Sequence, residues 1–152
     1  MKTKKGVKKT WNQKLNDAKD LPRVIKLNAD AQKRWGGKTM VIPAPLEVDE
    51  IMKTAKKGKL LTINDIRKQL SEKHNVETAC PITTGIFAWI ASHAAEEERL
   101  AGKKRITPYW RTIKSTGELN EKYPGGIEAQ RKMLEEEGHE IVQKGKKYRV
   151  VM

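Results

Sequence analysis

Residues 62–100 read TINDIRKQLSEKHNVETACPITTGIFAWIASHAAEEERL, and this stretch decides the fold class. Thr62 is a good helix N-cap, and Asp65 stands at the N3 position where a capping carboxylate belongs. Ile63, Ile66 and Leu70 recur at helical spacing, so a helix is predicted from about 63 to 73. His74 to Thr78 is a polar connection. Pro81 suits the first turn of a second helix. Ile82, Ile86, Trp89, Ile90 and Ala94 follow on one face, which predicts a buried stripe on a helix ending near Gly102. Two consecutive helices with a short polar turn, the second long and apolar on one side, read as a helix-turn-helix. Many helical proteins would show that pattern, so it bounds the fold without naming a function.

Upstream, Val48, Ile51, Met52 and Ala55 predict a helix over about 46–57, stopping before Gly58. Val41-Ile42-Pro43-Ala44-Pro45 reads as extended, because its prolines disfavour a helix. Arg34-Trp35-Gly36-Gly37-Lys38 reads as a basic loop with an aromatic anchor. Trp11, Leu15 and Ala18 predict a short helix before Leu21-Pro22, and the run KTKKGVKK at 2–9 reads as disordered in isolation. Downstream, ITPYWRTI at 106–113 is too short and proline-broken for a helix. Ser115-Thr116-Gly117 and Tyr123-Pro124-Gly125-Gly126 read as turns. The second leads into a helix over Ile127–Glu137 that Gly138 stops. Glu140 to Val151 reads as a β-hairpin turning through Lys144-Gly145-Lys146. The expected fold class is mainly α with small β elements. A basic, partly disordered extension over 1–40 precedes one domain over 41–152.

The chain of 152 residues is long enough for one domain with an ordinary core. Its formal net charge is +13 and unevenly spread. Residues 1–40 hold 12 Lys and Arg against 3 Asp, a net +9, while the other 112 residues hold 20 basic against 16 acidic, a net +4. Such a balance favours a polyanion: DNA, RNA or, less strongly, an acidic membrane surface. Lys2, Lys4, Lys5, Lys8 and Lys9, with Arg34 and Lys38, read either as sequence-independent phosphate contacts or as a solubilising tail. No apolar run approaches the roughly 18 residues of a membrane span, and MKTKKGVKKTW lacks the apolar stretch of a signal peptide. The expected location is therefore cytoplasmic and nucleoid-associated, with no membrane partner and a monomeric chain. The single cysteine, Cys80, excludes an internal disulfide and a multi-cysteine zinc site. His74, His93 and His139 follow no metal-ligand spacing, so no metal or cofactor is expected.

In this order, the motifs over about 40–140 resemble the DNA-binding, alkyl-accepting domain of the alkylguanine-DNA alkyltransferases. Gly58-Lys59-Leu60-Leu61-Thr62 resembles the family's glycine, strand-like step and helix cap, and Asp65-Ile66 the acidic–apolar pair after it. Gly85 matches the glycine of the recognition helix. Ile106-Thr107-Pro108-Tyr109-Trp110-Arg111 resembles the active-site segment Ile-x-Pro-Cys-His-Arg, and Ser115-Thr116-Gly117 the turn that follows. Tyr123-Pro124-Gly125-Gly126-Ile127 resembles the substrate-pocket loop, and LEEEG at 134–138 the family's Leu-x-x-Glu-Gly. The resemblance implies a winged helix-turn-helix-like DNA-binding domain. It is closest in kind to the alkyltransferase-like proteins, which lack the acceptor cysteine and bind alkylated guanine without transferring the alkyl group.

The departures carry the functional argument. The acceptor cysteine falls on Tyr109 and its neighbouring histidine on Trp110. The base-flipping tyrosine falls on Ile63 and the arginine finger on Ile82. Alkyl transfer needs a thiolate of lowered pKa, which a phenol of pKa near 10 does not supply. No catalytic residue is therefore expected. An apolar wedge at Ile82 is compatible with insertion between base steps. Cys80, at the start of the recognition helix, reads as a small hydrophobe rather than a relocated acceptor.

On the resemblance, the residues expected to meet DNA are Thr62, Ile63, Ile82, Thr83, Thr84, Gly85, Lys103, Lys104, Arg105 and Lys114. Those expected at the pocket are Tyr109, Trp110, Arg111, Tyr123 and Pro124. Thr83 to Gly85 either allow close approach to a groove or merely start the helix. Tyr109 and Trp110 either line an open aromatic pocket, where a base could stack, or fill it. Arg111 reads as structural, with Glu137 its expected partner. Glu96 to Glu98 read as a solvated helix face. The reading is a non-enzymatic DNA-binding protein recognising alkylated guanine. The alternative is a general DNA- or RNA-binding protein that keeps only the fold. An enzyme using Cys80 is the third and weakest reading, since no base or oxyanion donors assemble around it.

Overall fold

The computed structural model describes residues 9–151. Lys2, Lys4, Lys5 and Lys8, and most of the run expected to be disordered, lie outside the described residues. In chain order the elements are α1 (Trp11–Leu15), β1 (Arg23–Lys26), α2 (Ala29–Trp35), β2 (Thr39–Ile42), α3 (Pro45–Met52), β3 (Leu61–Thr62), α4 (Ile63–Lys73), β4 (Thr78–Ala79) and α5 (Pro81–Leu100). A 3-10 turn at Tyr109–Arg111 leads to β5 (Thr112–Ile113), α6 (Gly126–Glu136), β6 (Ile141–Lys144) and β7 (Lys147–Val150). The fold is mainly helical with small β elements, as its periodicities predicted.

Local chemistry accounts for several boundaries. The Thr62 hydroxyl accepts from Asp65 N at 3.0 Å while the Asp65 carboxylate accepts from Thr62 N at 2.9 Å, which closes the capping box of α4. Pro45 does not keep the chain extended but occupies the first turn of α3, where no backbone donor is needed. That helix ends at Met52, short of the expected position near 57. The expected loop at Arg34–Lys38 begins inside a helix: Arg34 and Trp35 form the last turn of α2, and Gly36, at φ 79°, caps it. The C-terminal hairpin is present, with Ile141 opposite Val150 and Lys144 opposite Lys147.

Residues 9–40 are built into the fold. β2 straddles that position, pairing antiparallel with β1 (Val24 opposite Val41) and parallel with β4 (Val41 opposite Ala79). α1 packs on α5: Trp11 stacks on His93, with ring centroids 4.5 Å apart, and meets Trp89 edge-on. Glu97 accepts from the backbone N of Trp11 at 2.8 Å and of Asn12 at 2.9 Å, so a carboxylate on α5 caps the start of α1. Glu96 and Glu98 pair with Arg99 and Lys103. The three glutamates expected on a solvated face are thus all engaged.

The core corrects one expectation about α5. Its buried residues are Thr84, Ala88, Ala91, Ser92, Ala94 and Ala95, whereas Ile82 and Ile86 stand 59% and 45% exposed. α1 and α3 both lie against α5. Small side chains allow that close approach, so the deepest stripe is alanine-rich; of the expected stripe Ala94 is fully buried and Ile90 packs against the core, while Ile82 and Ile86 turn outward. Val48, Met52, Ile66 and Leu70 complete the main core. Each such residue contributes about 1.5–3 kcal/mol of burial. A second cluster, Ile113, Leu119, Leu134 and Val150, seats the hairpin. No helix among the described residues is long and apolar enough to cross a membrane.

Candidate nucleic-acid interface

β3 and β5 pair in parallel, with Leu61 opposite Thr112 and Thr62 opposite Ile113. This pairing sets the start of α4 beside the loop after Ile113, where Asn64 N donates to Ser115 Oγ at 3.1 Å. The first half of α5 lies against that corner. Between them runs a groove of about 420 Å³, lined by Pro81, Ile82, Gly85, Ile86 and Trp89 of α5 and by Ile63, Lys114, Ser115, Asn120, Glu121 and Lys122 of the corner. Lys114 pairs with Glu121 at 3.1 Å, and His93 Nε2 is 2.8 Å from the Lys122 carbonyl. A Cβ added at Gly85 would meet nothing within 4 Å, so the helix surface there is open.

The groove brings together Ile63, Ile82, Gly85 and Lys114 of the residues expected to meet DNA. It does not include Thr84, which is fully buried and donates its hydroxyl to the Cys80 carbonyl at 2.7 Å. Thr83 is partly buried and turns its hydroxyl to Cys80 Sγ at 3.1 Å, while the Thr62 hydroxyl is occupied by its own helix cap. Lys103, Lys104 and Arg105 are exposed, but they follow the C-terminus of α5, whereas the groove lies at its N-terminal half. The rest of α5 past Trp89, roughly 16 Å of helix, lies between.

The segment that resembles the alkyltransferase active-site motif is closed. Tyr109 and Tyr123 are each only 3% exposed and belong to the main core. Tyr109 meets Trp110 and Tyr123 edge-on, at centroid distances of 5.3 and 5.8 Å. Burial pushes the Tyr109 phenol up to about 12, with Glu96 adding to the rise and Arg99 opposing it. Burial likewise raises Tyr123. A phenol so held is neutral near pH 7 and makes a poor nucleophile. Pro124 is partly buried. Gly125 beside it is held at φ 78°, and a Cβ there would lie 2.5 Å from Ala129 Cβ, so the turn into α6 requires glycine.

Arg111 and Glu137 hold this segment down. The guanidinium donates to the carboxylate at 2.8 and 3.0 Å and to the Ala55 carbonyl at 2.7 Å, and Trp110 Nε1 donates to the same carboxylate at 2.9 Å. Burial alone would raise the Glu137 carboxyl, but the bonds from Arg111 and Trp110 keep it below its ordinary value.

Three features escaped the sequence reading. Gln130 is fully buried, accepts from Asn120 N at 2.7 Å and donates to the Trp110 carbonyl at 3.1 Å, tying the groove loop to the turn. Asp49, also buried, accepts from the Thr107 hydroxyl at 2.6 Å. Lys146 and Lys147 of the hairpin line a second cavity of about 290 Å³ that shares Lys114 and Glu121 with the groove. The basic turn KGKK at 144–147 was the available signal for that contact, whereas nothing local marks Gln130 or Asp49 as buried.

No protein-family model and no curated protein sequence matches the chain. Two solved structures do. One is the crystal structure of S. pombe Atl1 in complex with damaged DNA containing O6-carboxymethylguanine, at 22% identity over 70% of this chain and 87% of that chain, with a TM-score of 0.50. The other is S. pombe ATL in complex with DNA, at 22% identity over 70% and 87% of the two chains, with a TM-score of 0.52. At this identity the likeness is one of fold, and the chain has the fold of S. pombe Atl1.

Proposed function

We propose that this chain is a non-enzymatic duplex-DNA-binding protein of the alkyltransferase-like kind, and that the groove between α5 and the Lys114–Lys122 loop is its DNA contact. The observation that carries the reading is the outward exposure of Ile82 and Ile86 at the N-terminal half of α5, opposite Lys114 and Lys122. Large apolar side chains beside cations suit a DNA groove, where cations neutralise phosphates and apolar groups contact sugars or part base steps. Likeness to a fold seen in complex with DNA supports it. Tyr109 at the acceptor position argues against alkyl transfer.

A second reading, recognition of alkylated guanine, is supported by the likeness to Atl1 bound to damaged DNA and by the aromatic cluster of Tyr109, Trp110 and Tyr123. It requires Tyr109 to leave the core to admit a base. A fluorescence titration against two matched duplexes, with and without one O6-methylguanine, at two salt concentrations and with structured RNA as competitor, tests both. Equal, salt-dependent affinity for the duplexes over RNA is the outcome of groove binding alone. Tighter binding of the damaged duplex at both salts is the outcome of lesion recognition. Stronger competition by RNA than by duplex would overturn the DNA assignment.

A further inference from the structure

Lys26, Lys33, Arg34 and Lys38 are exposed and make no ion pair among the described residues. Some other cations, Arg99, Lys103, Arg111, Lys114 and Lys147 among them, have an acidic partner, whereas Lys104, Arg105 and Lys144 are exposed and unpaired like these four among the described residues. Lys26, Lys33, Arg34 and Lys38 are distinguished by lying together at one end of the β1–α2–β2 ribbon. Lys26 ends β1 opposite Thr39, and Leu27 N donates to the Lys38 carbonyl at 2.8 Å. Lys33 and Arg34 occupy the last turn of α2, just before the glycines that return the chain to Lys38. The Arg34 guanidinium lies over the Trp35 ring, 5.1 Å from its centroid. α2 has no fully buried residue; only Ala31, Gln32 and Trp35 are partly covered, so its cations are not there to serve the core.

The ribbon is fastened to the element that enters the groove. β2 pairs with β4, Cys80 N donates to the Val41 carbonyl at 2.9 Å, and the backbone N of Lys38 donates to the Glu77 carboxylate. The chain from Glu77 to Ile82 spans at most roughly 18 Å even if fully extended. That is about five phosphates of one DNA strand at ~3.4 Å spacing.

We infer that the β1–α2–β2 ribbon is a rigid lateral arm that grips the phosphate backbone of duplex DNA flanking the α5 groove. The inference rests on the groove being the DNA contact. The arm reads no bases. It adds phosphate contacts on the side of the groove away from the basic hairpin turn, so its signature is salt dependence and duplex length rather than sequence preference.

The test compares the full chain with the Lys33→Ala/Arg34→Ala/Lys38→Ala variant. Binding is titrated over a range of salt concentrations, on a duplex of about one helical turn (roughly 10 base pairs) and on one of about three turns. Each lost phosphate contact lowers the log–log salt slope by about 0.9, so on the longer duplex the slope should fall by about 2–3. On the shorter duplex, which at ~3.4 Å per phosphate reaches only about 17 Å to either side of its centre, the slope should fall by less. The thermal midpoint should also be unchanged, because all three side chains are exposed. An unchanged slope on the longer duplex overturns the arm, and so does an equal loss on both lengths, or a loss seen only with structured RNA. Ile82→Asp, tested alongside, separates the two levels. If it abolishes binding while the triple variant leaves the slope intact, only the arm fails. If the unaltered chain binds no duplex, arm and groove fail together.

Discussion

Arg111 and Glu137 form a nearly buried ion pair, with the guanidinium 2.8 Å from the carboxylate and the two side chains 14% and 9% exposed. The pair ties the 3-10 turn carrying Tyr109 to the end of α6, and Trp110 shares the same carboxylate.

Breaking this pair from one side leaves an uncompensated charge out of water. Arg111→Ala is expected to cost about 3–5 kcal/mol, a fall in thermal midpoint on the order of 10 °C for a chain of this length. Circular dichroism melting reads it directly. A loss under 1 kcal/mol would show that the pair is dispensable to the turn.

The same pair sets part of the acid limb of stability. The folded carboxyl of Glu137 is held below its ordinary value, so its contribution is present above the unfolded pKa and fades as pH falls through the folded one. Stability should therefore begin to drop below about pH 4.5. Glu137→Gln should flatten that limb in urea titrations across the acid range, and a limb as steep as the parent's would assign the acid sensitivity to other carboxylates.

Ile82 tests the groove. It is 59% exposed, so Ile82→Asp should change stability by no more than about 0.5 kcal/mol. Affinity for duplex DNA should nevertheless fall at least about tenfold, a loss of about 1.4 kcal/mol. Anisotropy titration and thermal melting of one preparation read both, and intact affinity would remove this wall from the interface.

Gly85→Ala should separate stability from binding. A Cβ there meets nothing within 4 Å, and glycine inside a helix is less favourable than alanine by about 0.5–1 kcal/mol. The variant should melt higher yet bind duplex more weakly, because the added methyl stands in the groove. Higher stability with unchanged affinity would mean that DNA does not approach α5 at this point.

Trp11→Ala tests whether the N-terminal third is structural. Its ring stacks on His93 and meets Trp89, and a partly buried aromatic of this kind is worth about 2 kcal/mol. The melting midpoint should drop by roughly 4–8 °C. A midpoint that does not move would make α1 a passive attachment to α5.

The sequence by itself determined what depends on neighbours in the chain. Thr62 and Asp65 announce the cap of α4, Gly138 and the Gly125–Gly126 turn bracket α6, and alternating residues around Gly145 mark the hairpin. Each of these is decided within a few residues by backbone sterics and local hydrogen bonds. The motif order from Gly58 to Gly138 carried the family resemblance, and with it the expectation of Arg111 beside Glu137. Tertiary structure alone decided which face of α5 is buried. Periodicity reports that apolar residues recur, but packing against α1 and α3 selects the alanine stripe and turns Ile82 and Ile86 outward. The role of Glu97, a cap on a helix 85 residues earlier in the chain, has no local signal either. The same holds for the β1–α2–β2 ribbon, whose strand β2 finds β4 from 38 residues away in Met40 and Thr78. Such pairings are chosen by the burial and hydrogen bonding of the whole chain, and so they appear only once it has folded.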